Sequence, residues 1–435
     1  MNDVFEGGTA FAKRLAGAIS GCIFLALTFT SAGYAATTDT KAASASPMPL
    51  LEKGHPVDWW FVFKFNTKAF PACGGGNSEQ RQCAFGGSVQ DYKPGYSQQY
   101  VYASSEAPTL KKGGGCAGDT TTDPVGATFD EVYNASTAPY FVVWNDQFYG
   151  NPSIPGCAQS CSAPWGHSKG MLAWNDDGNG FLLQVTTPSW PGAGNVANSR
   201  NPEGNTLGCV TDDDVLVSQH FFALKLTKGD VAQVLAGLGN ASVVTDPSNP
   251  QIVHTGGPAD IQKLVAALGA KSDSTSVIRV QLSTGVGLIS KPSKLHVPPW
   301  QMVSAVLGGV PLRTATWWAN PQIASTKTAG APACWDDSLP EPGPVQIATS
   351  GQWNGQEFGL KGGLGQDFNH AKIGVSTGGE NYFSIFGDMN QQGTLSGSNC
   401  GSSQNGRGGL FFVIDNQALN ESITSLINGE TAAAK

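Results

Sequence analysis

Apolar runs rich in aromatic and β-branched residues, separated by polar and glycine-rich punctuation, recur along the chain and predict strands. In the first half they are Val57 to Phe65, Gln99 to Ala103, Tyr140 to Trp144, Gly170 to Trp174 and Phe181 to Thr187. A second set comprises Ser276 to Ser283, Leu312 to Trp318, Ala371 to Val375, Tyr382 to Phe386 and Leu410 to Ile414. Apolar residues spaced by three and four predict fewer helices, crowded into the later half: Asp230 to Leu238, Ala259 to Leu268, Pro299 to Leu307 and Gln417 to Leu426. The mixture predicts an α/β or α+β sheet sandwich. One apolar stretch is of another kind. Lys13 and Arg14 precede a run from Leu15 to about Thr30, and Gly33 and Ala35 supply the small residues a signal peptidase accepts. Residues 1–35 are therefore expected to be a signal peptide, and 36–50, rich in Ala, Thr and Ser, a flexible lead-in. Ile19-Ser20-Gly21-Cys22 imitates a lipoprotein box but precedes most of the apolar run. No other run approaches the roughly 18 apolar residues that span a membrane, so no membrane partner is expected and the mature chain is expected to be soluble.

The chain has 435 residues and is 40% hydrophobic, enough for sizeable cores and too much for a disordered protein. Only 13% of residues are charged, whereas Gly (56) and Pro (26) are plentiful, which predicts long loops and a mostly neutral-polar surface. The net charge of −8 supplies no bulk attraction for nucleic acid, so a phosphate site would have to be local. Of 9 cysteines, Cys22 lies in the leader, and Cys73, Cys83, Cys116, Cys157, Cys161, Cys209, Cys334 and Cys400 remain. That even set suits an exported protein in an oxidising compartment. Pairing is left open, with short loops such as Cys73 to Cys83 or Cys157 to Cys161 available; the rival zinc reading of Cys157 and Cys161 lacks a matching His or Cys pair.

Two segments share an unusual opening. His167-Ser168-Lys169 leads into Gly170 to Trp174, then the turn Asn175-Asp176-Asp177-Gly178-Asn179-Gly180, then Phe181 to Val185. His370-Ala371-Lys372 leads into Ile373 to Ser376, then Thr377-Gly378-Gly379-Glu380-Asn381, then Tyr382 to Phe386. Asp-Gly and Gly-Gly turns between apolar runs predict hairpins. The first turn also resembles part of a calcium loop but lacks the Glu at its twelfth position, and the plain hairpin is preferred.

On a strand, residues i and i+2 share a face, which sets each imidazole beside an ammonium and makes a phosphate site. If the two hairpins converge about a pseudo-twofold axis, one neutral imidazole can attack phosphorus while the other, as imidazolium, protonates the leaving oxygen. The lysines would stabilise charge on the non-bridging oxygens, with no cofactor and no metal required.

At these residues the sequence resembles the deoxyribonuclease II family, acid endonucleases of the phospholipase D-like superfamily. The resemblance extends to Pro56-Val57-Asp58-Trp59, Trp144-Asn145-Asp146-Gln147, Gly387-Asp388-Met389-Asn390 and Arg407-Gly408-Gly409, in the family's order from about residue 55 to 415. A weaker match runs from Trp300 to Trp317. It implies an α/β pseudo-dimer of two similar halves, 51–230 and 231–430, each a central mixed sheet flanked by helices. It implies His167, Lys169, His370 and Lys372 as catalytic groups and Asn390 as a phosphate-binding residue. His167 is taken as nucleophile and His370 as general acid. The implied reaction is metal-independent hydrolysis of double-stranded DNA at mildly acid pH to 3′-phosphate and 5′-hydroxyl ends through a phosphohistidine. The implied setting is secreted or periplasmic, or a lysosomal-type compartment in a eukaryote, with DNA as partner and a homodimer left open. Ile373-Gly374 and Leu410-Phe411-Phe412 depart from the Trp-Cys and Cys of animal members, so disulfide pairing is not carried over. Asp176 and Asp177 are both available for the superfamily's Asp, and neither is assigned.

Protonating all six His would take the formal charge from −8 to −2 and ease approach to DNA at acid pH. His55, His220, His254 and His296 lack a partner at phosphate-site spacing and read as surface or packing residues. Asp212-Asp213-Asp214 reads as a solvated loop, the tryptophans as core, and Asn134, Asn240 and Asn420 begin glycosylation sequons. Two other classes stay open: a phospholipase D-type enzyme acting on lipid, and a non-catalytic polysaccharide- or cell-wall-binding module.

Overall fold

The structure, a computed structural model, describes residues 46–71, 99–118, 120–133, 137–148, 150, 152–157, 160–188, 216–318 and 322–434. The expected signal peptide, Cys73, Cys83, Cys209, Asp212-Asp213-Asp214 and Asn134 lie outside them. A short hairpin, β1 (Leu50–Glu52) and β2 (His55–Pro56), comes first among the described residues. Eight strands follow: β3 (Trp59–Lys64), β4 (Tyr100–Ser104), β5 (Lys111–Lys112), β6 (Tyr140–Asn145), β7 (Lys169–Trp174), β8 (Gly180–Val185), β9 (Gln219–Leu226) and β10 (Val253–His254). They form one sheet in the order β10-β6-β7-β8-β9-β3-β4-β5. A second sheet is built from β11 (Ile278–Gln281), β12 (Gly287–Lys291), β13 (Leu312–Ala315) and β14 (Val345–Ile347). After the hairpin β15 (Ser350–Trp353) and β16 (Gln356–Gly359), it is completed by β17 (Ile373–Ser376), β18 (Phe383–Gly387) and β19 (Gly409–Asp415), in the order β11-β12-β19-β18-β17-β13-β14.

The fold is α/β; the second sheet is mixed as expected, and the first is a correction to that expectation. Every pairing in the first sheet is antiparallel. In the second, only β13 with β14 is parallel. Hairpin connections dominate, and a hairpin can only return its chain antiparallel. Both His-x-Lys hairpins form as expected: β7 with β8 and β17 with β18. The first turn is closed by Asn175 Oδ1, which accepts from the Asp177 and Asn179 amides, while Gly178 takes φ +83°.

Among the described residues five α-helices accompany the sheets: α1 (Pro124–Tyr133), α2 (Lys228–Asn240), α3 (Ala259–Ala266), α4 (Pro299–Val306) and α5 (Gln417–Leu426). Helix α1 is a first-half helix that periodicity did not expose, because Gly126 and Thr128 weaken its helical propensity. A Thr227–Asp230 capping box starts α2, and Asp230 also accepts from the Ser283 amide at the end of the β11 hairpin.

Strands β3, β7 and β8 are buried along their whole length, which is why they read as continuous apolar runs and not as alternations. The two sheets meet through aromatic rings. Phe386 of β18 stacks on Phe61 of β3 (centroids 4.5 Å apart) and on Phe222 of β9 (4.7 Å), and Phe412 of β19 tilts against Phe222. Offset contacts of this kind add about 1 kcal/mol each beyond the area they bury. The face on which the two sheets meet is thereby fixed.

Candidate active site

Neither motif lies wholly within its strand. His167 sits two residues ahead of β7, and both His370 and Lys372 precede β17. The shared-face expectation for a regular strand therefore does not apply; partners from the opposite sheet place these side chains. The His167 amide donates to the Gly408 carbonyl (2.8 Å), and the His370 amide donates to the Ser218 carbonyl (2.7 Å). Gly408 immediately precedes β19 and Ser218 immediately precedes β9. Each sheet clasps the histidine of the other. Glycine is required at 408, because a Cβ there would collide with the Ala241 carbonyl at the end of α2.

A buried lysine braces each clasp. Lys64, ending β3, donates to the Val217 carbonyl (2.7 Å). Lys291, ending β12, donates to the carbonyls of Leu295 (2.6 Å), Asn405 (2.9 Å) and Arg407 (2.8 Å).

His167, His370, Asn390, Trp317, Gln404 and Arg407 line one cavity of about 530 Å³. Its walls are tied by two disulfides, Cys157–Cys161 beside Ser160 and Ser162, and Cys334–Cys400 beside Gly401. The first is the short loop left open by the spacing. Cys116 is disulfide-bonded as well.

The two imidazoles differ. His167 Nδ1 lies 2.7 Å from the Asp388 carbonyl oxygen. A carbonyl only accepts, so Nδ1 carries the hydrogen and the lone pair of the neutral ring is on Nε2. His370 Nδ1 is buried with no hydrogen-bond partner, and its ring meets Trp317 edge-on at 6.0 Å. Asn390 is buried too; its amide donates to Gln404 Oε1 while its own Oδ1 has no partner. Unpaired buried polar atoms around one cavity are what a polar ligand would satisfy.

The lysines stand behind the cavity and do not line it. Lys169 donates to Asp146 Oδ1 (2.5 Å), and Arg407 donates to Asp146 Oδ2 (2.7 Å) and to the Gly166 carbonyl (2.6 Å). Burial pushes the Asp146 carboxyl up, but Lys169, Arg407 and His167 together hold it well below the usual carboxylate range. Lys372 donates to the His370 carbonyl. Its amide donates to His220 Nδ1 (3.1 Å), which places the His220 hydrogen on Nε2, 3.4 Å from Gln184 Oε1. Gln184 Nε2 in turn donates to Asp388 Oδ1 (3.0 Å), and the Leu410 amide donates to Asp388 Oδ2. A chain of buried polar groups thus joins the Lys372 backbone to the residue that orients His167.

Burial, then Lys169, holds the His167 pKa well below the ordinary value; burial, then Lys372, does the same for His370 and for His220. The expectation that all six histidines charge together in mild acid is corrected accordingly, since these three sit in low dielectric among like charges. Burial pushes the Asp388 carboxyl up to about 7 against its hydrogen bonds with Ser168, Leu410 and Gln184.

Asp146, Asp388 and Arg407 stand in the sequence motifs with no part assigned to them, and His220 reads there as a surface or packing residue. Packing describes His220 in part: its ring tilts against both members of the stacked Phe61–Phe386 pair. Trp317 departs from the core reading by lining the cavity. Asp176 accepts from the Tyr140 hydroxyl at the hairpin turn and Asp177 is exposed there; neither lines the cavity. His55 pairs with exposed Glu106, and His254 bonds the Pro139 carbonyl. Asn240 and Asn420 are buried and hydrogen-bonded to neighbouring strands, which makes them poor glycan acceptors. Among the described residues no cluster of three or more His, Cys, Asp or Glu is arranged to hold a metal, and no helix is long and apolar enough to cross a membrane.

The chain is 30% identical over 166 residues to deoxyribonuclease-2-alpha of Rattus norvegicus and 26% identical over 165 residues to that of Sus scrofa. Each alignment takes in 37% of this chain and, respectively, 40% and 38% of the relative, well under half of its length. A wider match is to the profile of the Deoxyribonuclease II family, which extends over residues 49–431 and so includes both sheets and every residue around the cavity. The chain belongs to the deoxyribonuclease II family.

Proposed function

We propose that this protein is an exported acid endonuclease, working in a secreted, periplasmic or lysosomal-type setting, that hydrolyses double-stranded DNA without a metal cofactor. The observation that carries the reading is the meeting of two imidazoles, clasped by opposite sheets, around one cavity. The matching strand orders β6-β7-β8-β9-β3 and β13-β17-β18-β19-β12 support a pseudo-dimer in which the halves 51–230 and 231–430 each contribute one motif.

His167 is the nucleophile. Its Nδ1–H is held by the Asp388 carbonyl, so the Nε2 lone pair attacks phosphorus while the P–O5′ bond breaks. His370 gives its proton to the departing O5′ oxygen, leaving a 5′-hydroxyl and a 3′-phosphohistidine. Water then attacks phosphorus, His370 takes its proton, and the P–N bond breaks to release a 3′-phosphate. Asn390 contacts the non-bridging oxygens. Lys169 and Lys372 act from behind the rings as fixed positive charge.

An acid optimum follows from burial. His370 must be protonated to start the cycle, yet burial and Lys372 depress its pKa, so the active form accumulates only as the pH falls below the ordinary histidine range. An arriving phosphodiester anion opposes that depression. Supercoiled plasmid incubated in EDTA from about pH 4 to about pH 8 tests the reading. Nicking that peaks on the acid side and leaves 3′-phosphate ends is expected; absence of cleavage at every pH, or cleavage only with added metal, would overturn it.

A further inference from the structure

The catalytic steps leave several side chains at the cavity unused, and one of them is large, exposed and apolar. Leu364 is 76% exposed; the other exposed large hydrophobic side chain among the described residues, Tyr382, is 43% exposed. Leu364 lines the cavity shared by His167 and His370. Its segment is braced on both sides. The Asn369 amide donates to the Lys361 carbonyl (2.9 Å), Gly362 bridges to Asn369, and the Lys68 amide donates to the Gln366 carbonyl (2.8 Å). Lys68 also pairs with Asp367 at 2.7 Å. Leu364 is therefore an apolar group carried on a tied-down turn beside a polar cavity.

A second apolar surface lies in the same cavity. Trp317 packs edge-on against His370, and its buried Nε1 has no hydrogen-bond partner. A phosphate needs neither a leucine nor an indole. What flanks the phosphodiester of DNA is deoxyribose and the faces of the bases, and apolar side chains pressed into a base step unstack and bend a duplex. Single strands offer the same base faces without a stack to open.

We infer that Leu364 is a specificity-determining wedge that enters the base step beside the scissile phosphate and opens the duplex so that its backbone can seat between the two histidines. The inference rests on the phosphodiesterase reading of this cavity and assigns its preference for duplex DNA to one residue. Because Leu364 is exposed, its replacement leaves the core untouched.

The test compares wild type, Leu364→Ala and Leu364→Met on three substrates: duplex DNA, a single-stranded oligonucleotide and bis(p-nitrophenyl) phosphate, which has no base to stack. For Leu364→Ala, kcat/KM on the duplex should fall about tenfold, the scale set by losing one leucine's burial. The small diester should be cleaved at the wild-type rate, the single strand should lose less than the duplex, and Leu364→Met should retain duplex activity. A duplex carrying 2-aminopurine at the cleaved step should brighten on binding wild type and not on binding Leu364→Ala. Equal duplex rates for wild type and Leu364→Ala, or equal losses on all three substrates, would overturn the wedge while leaving the catalytic reading standing. A wild-type protein that cleaves none of the three would overturn the catalytic reading and this inference with it.

Discussion

The segments around His167 and His370 share a sequence pattern, a hairpin and a clasp from the opposite sheet, and they differ in what holds the ring. His167 is oriented through Nδ1 by a carbonyl and backed by a buried Lys169–Asp146–Arg407 network. His370 has an unpartnered Nδ1, an indole at its edge and a lysine whose amide is tied to His220. The same backbone device has been given one ring with a fixed tautomer and one whose proton is not committed to a protein acceptor. Those are the needs of a nucleophile and of a proton donor.

The largest expected effect separates these roles. His167→Asn and His370→Asn should each lower DNA cleavage by about a thousandfold or more, with unchanged circular dichroism. On a p-nitrophenyl ester of thymidine 3′-phosphate, whose leaving group needs no proton, His370→Asn should recover much of the loss and His167→Asn none. Equal recovery by both variants would break the assignment of distinct roles.

Next is the network behind His167. Asp146→Asn leaves Lys169 and Arg407 facing each other without a carboxylate, and should destabilise the protein by about 3–5 kcal/mol, read from the urea midpoint. A shift below about 1 kcal/mol would place Asp146 outside the supporting structure.

The lysines should move the pH profile in distinguishable ways. Lys372→Met removes the charge that depresses His370, so the alkaline limb, where the acid is lost, should move up. Lys169→Met removes the charge that depresses His167, so the acid limb, where the nucleophile is protonated, should move up. Each lysine also acts more weakly on the other ring, so the larger movement falling on the same limb in both variants would contradict the division of labour.

The smallest effect concerns Asp388. Its folded pKa of about 7 lies above the unfolded value, so its contribution is full at acid pH and is lost as the pH rises through about 7. The three buried histidines act in the opposite sense, their contribution being lost as the pH falls below about 6.5, but they are common to wild type and variant. Relative to wild type, Asp388→Asn should therefore gain stability between about pH 5 and about pH 8, measured by chemical denaturation at both. An unchanged difference at the two pH values would show that Asp388 does not titrate there.

Both hairpins and both His-x-Lys pairs were legible in the sequence because their signals are local: two-residue spacing, turn glycines and apolar runs. What holds them was not. Arg407 reaches Asp146 across 261 positions and Asp388 orients His167 across 221, and no spacing rule spans such distances. His220 passed for a surface or packing residue because it has no partner at phosphate-site spacing, and only the placement of β9 beside the entry to β17 brings its Nδ1 to the Lys372 amide. Helix α1 was hidden by residues of low helical propensity, and the direction of pairings such as β3 with β9, which no hairpin turn joins, carries no local mark in the sequence.

The most direct measurement is a trap of the covalent intermediate. His370→Asn protein should be mixed at acid pH with an oligonucleotide 3′-(p-nitrophenyl) phosphate, quenched in denaturant, digested and mapped by mass spectrometry. The nucleophile assigned here should carry the DNA: an adduct on the His167 peptide, absent when His167→Asn is added to the variant. Release of p-nitrophenol with no protein adduct at any time, or an adduct on another residue that survives His167→Asn, would contradict it.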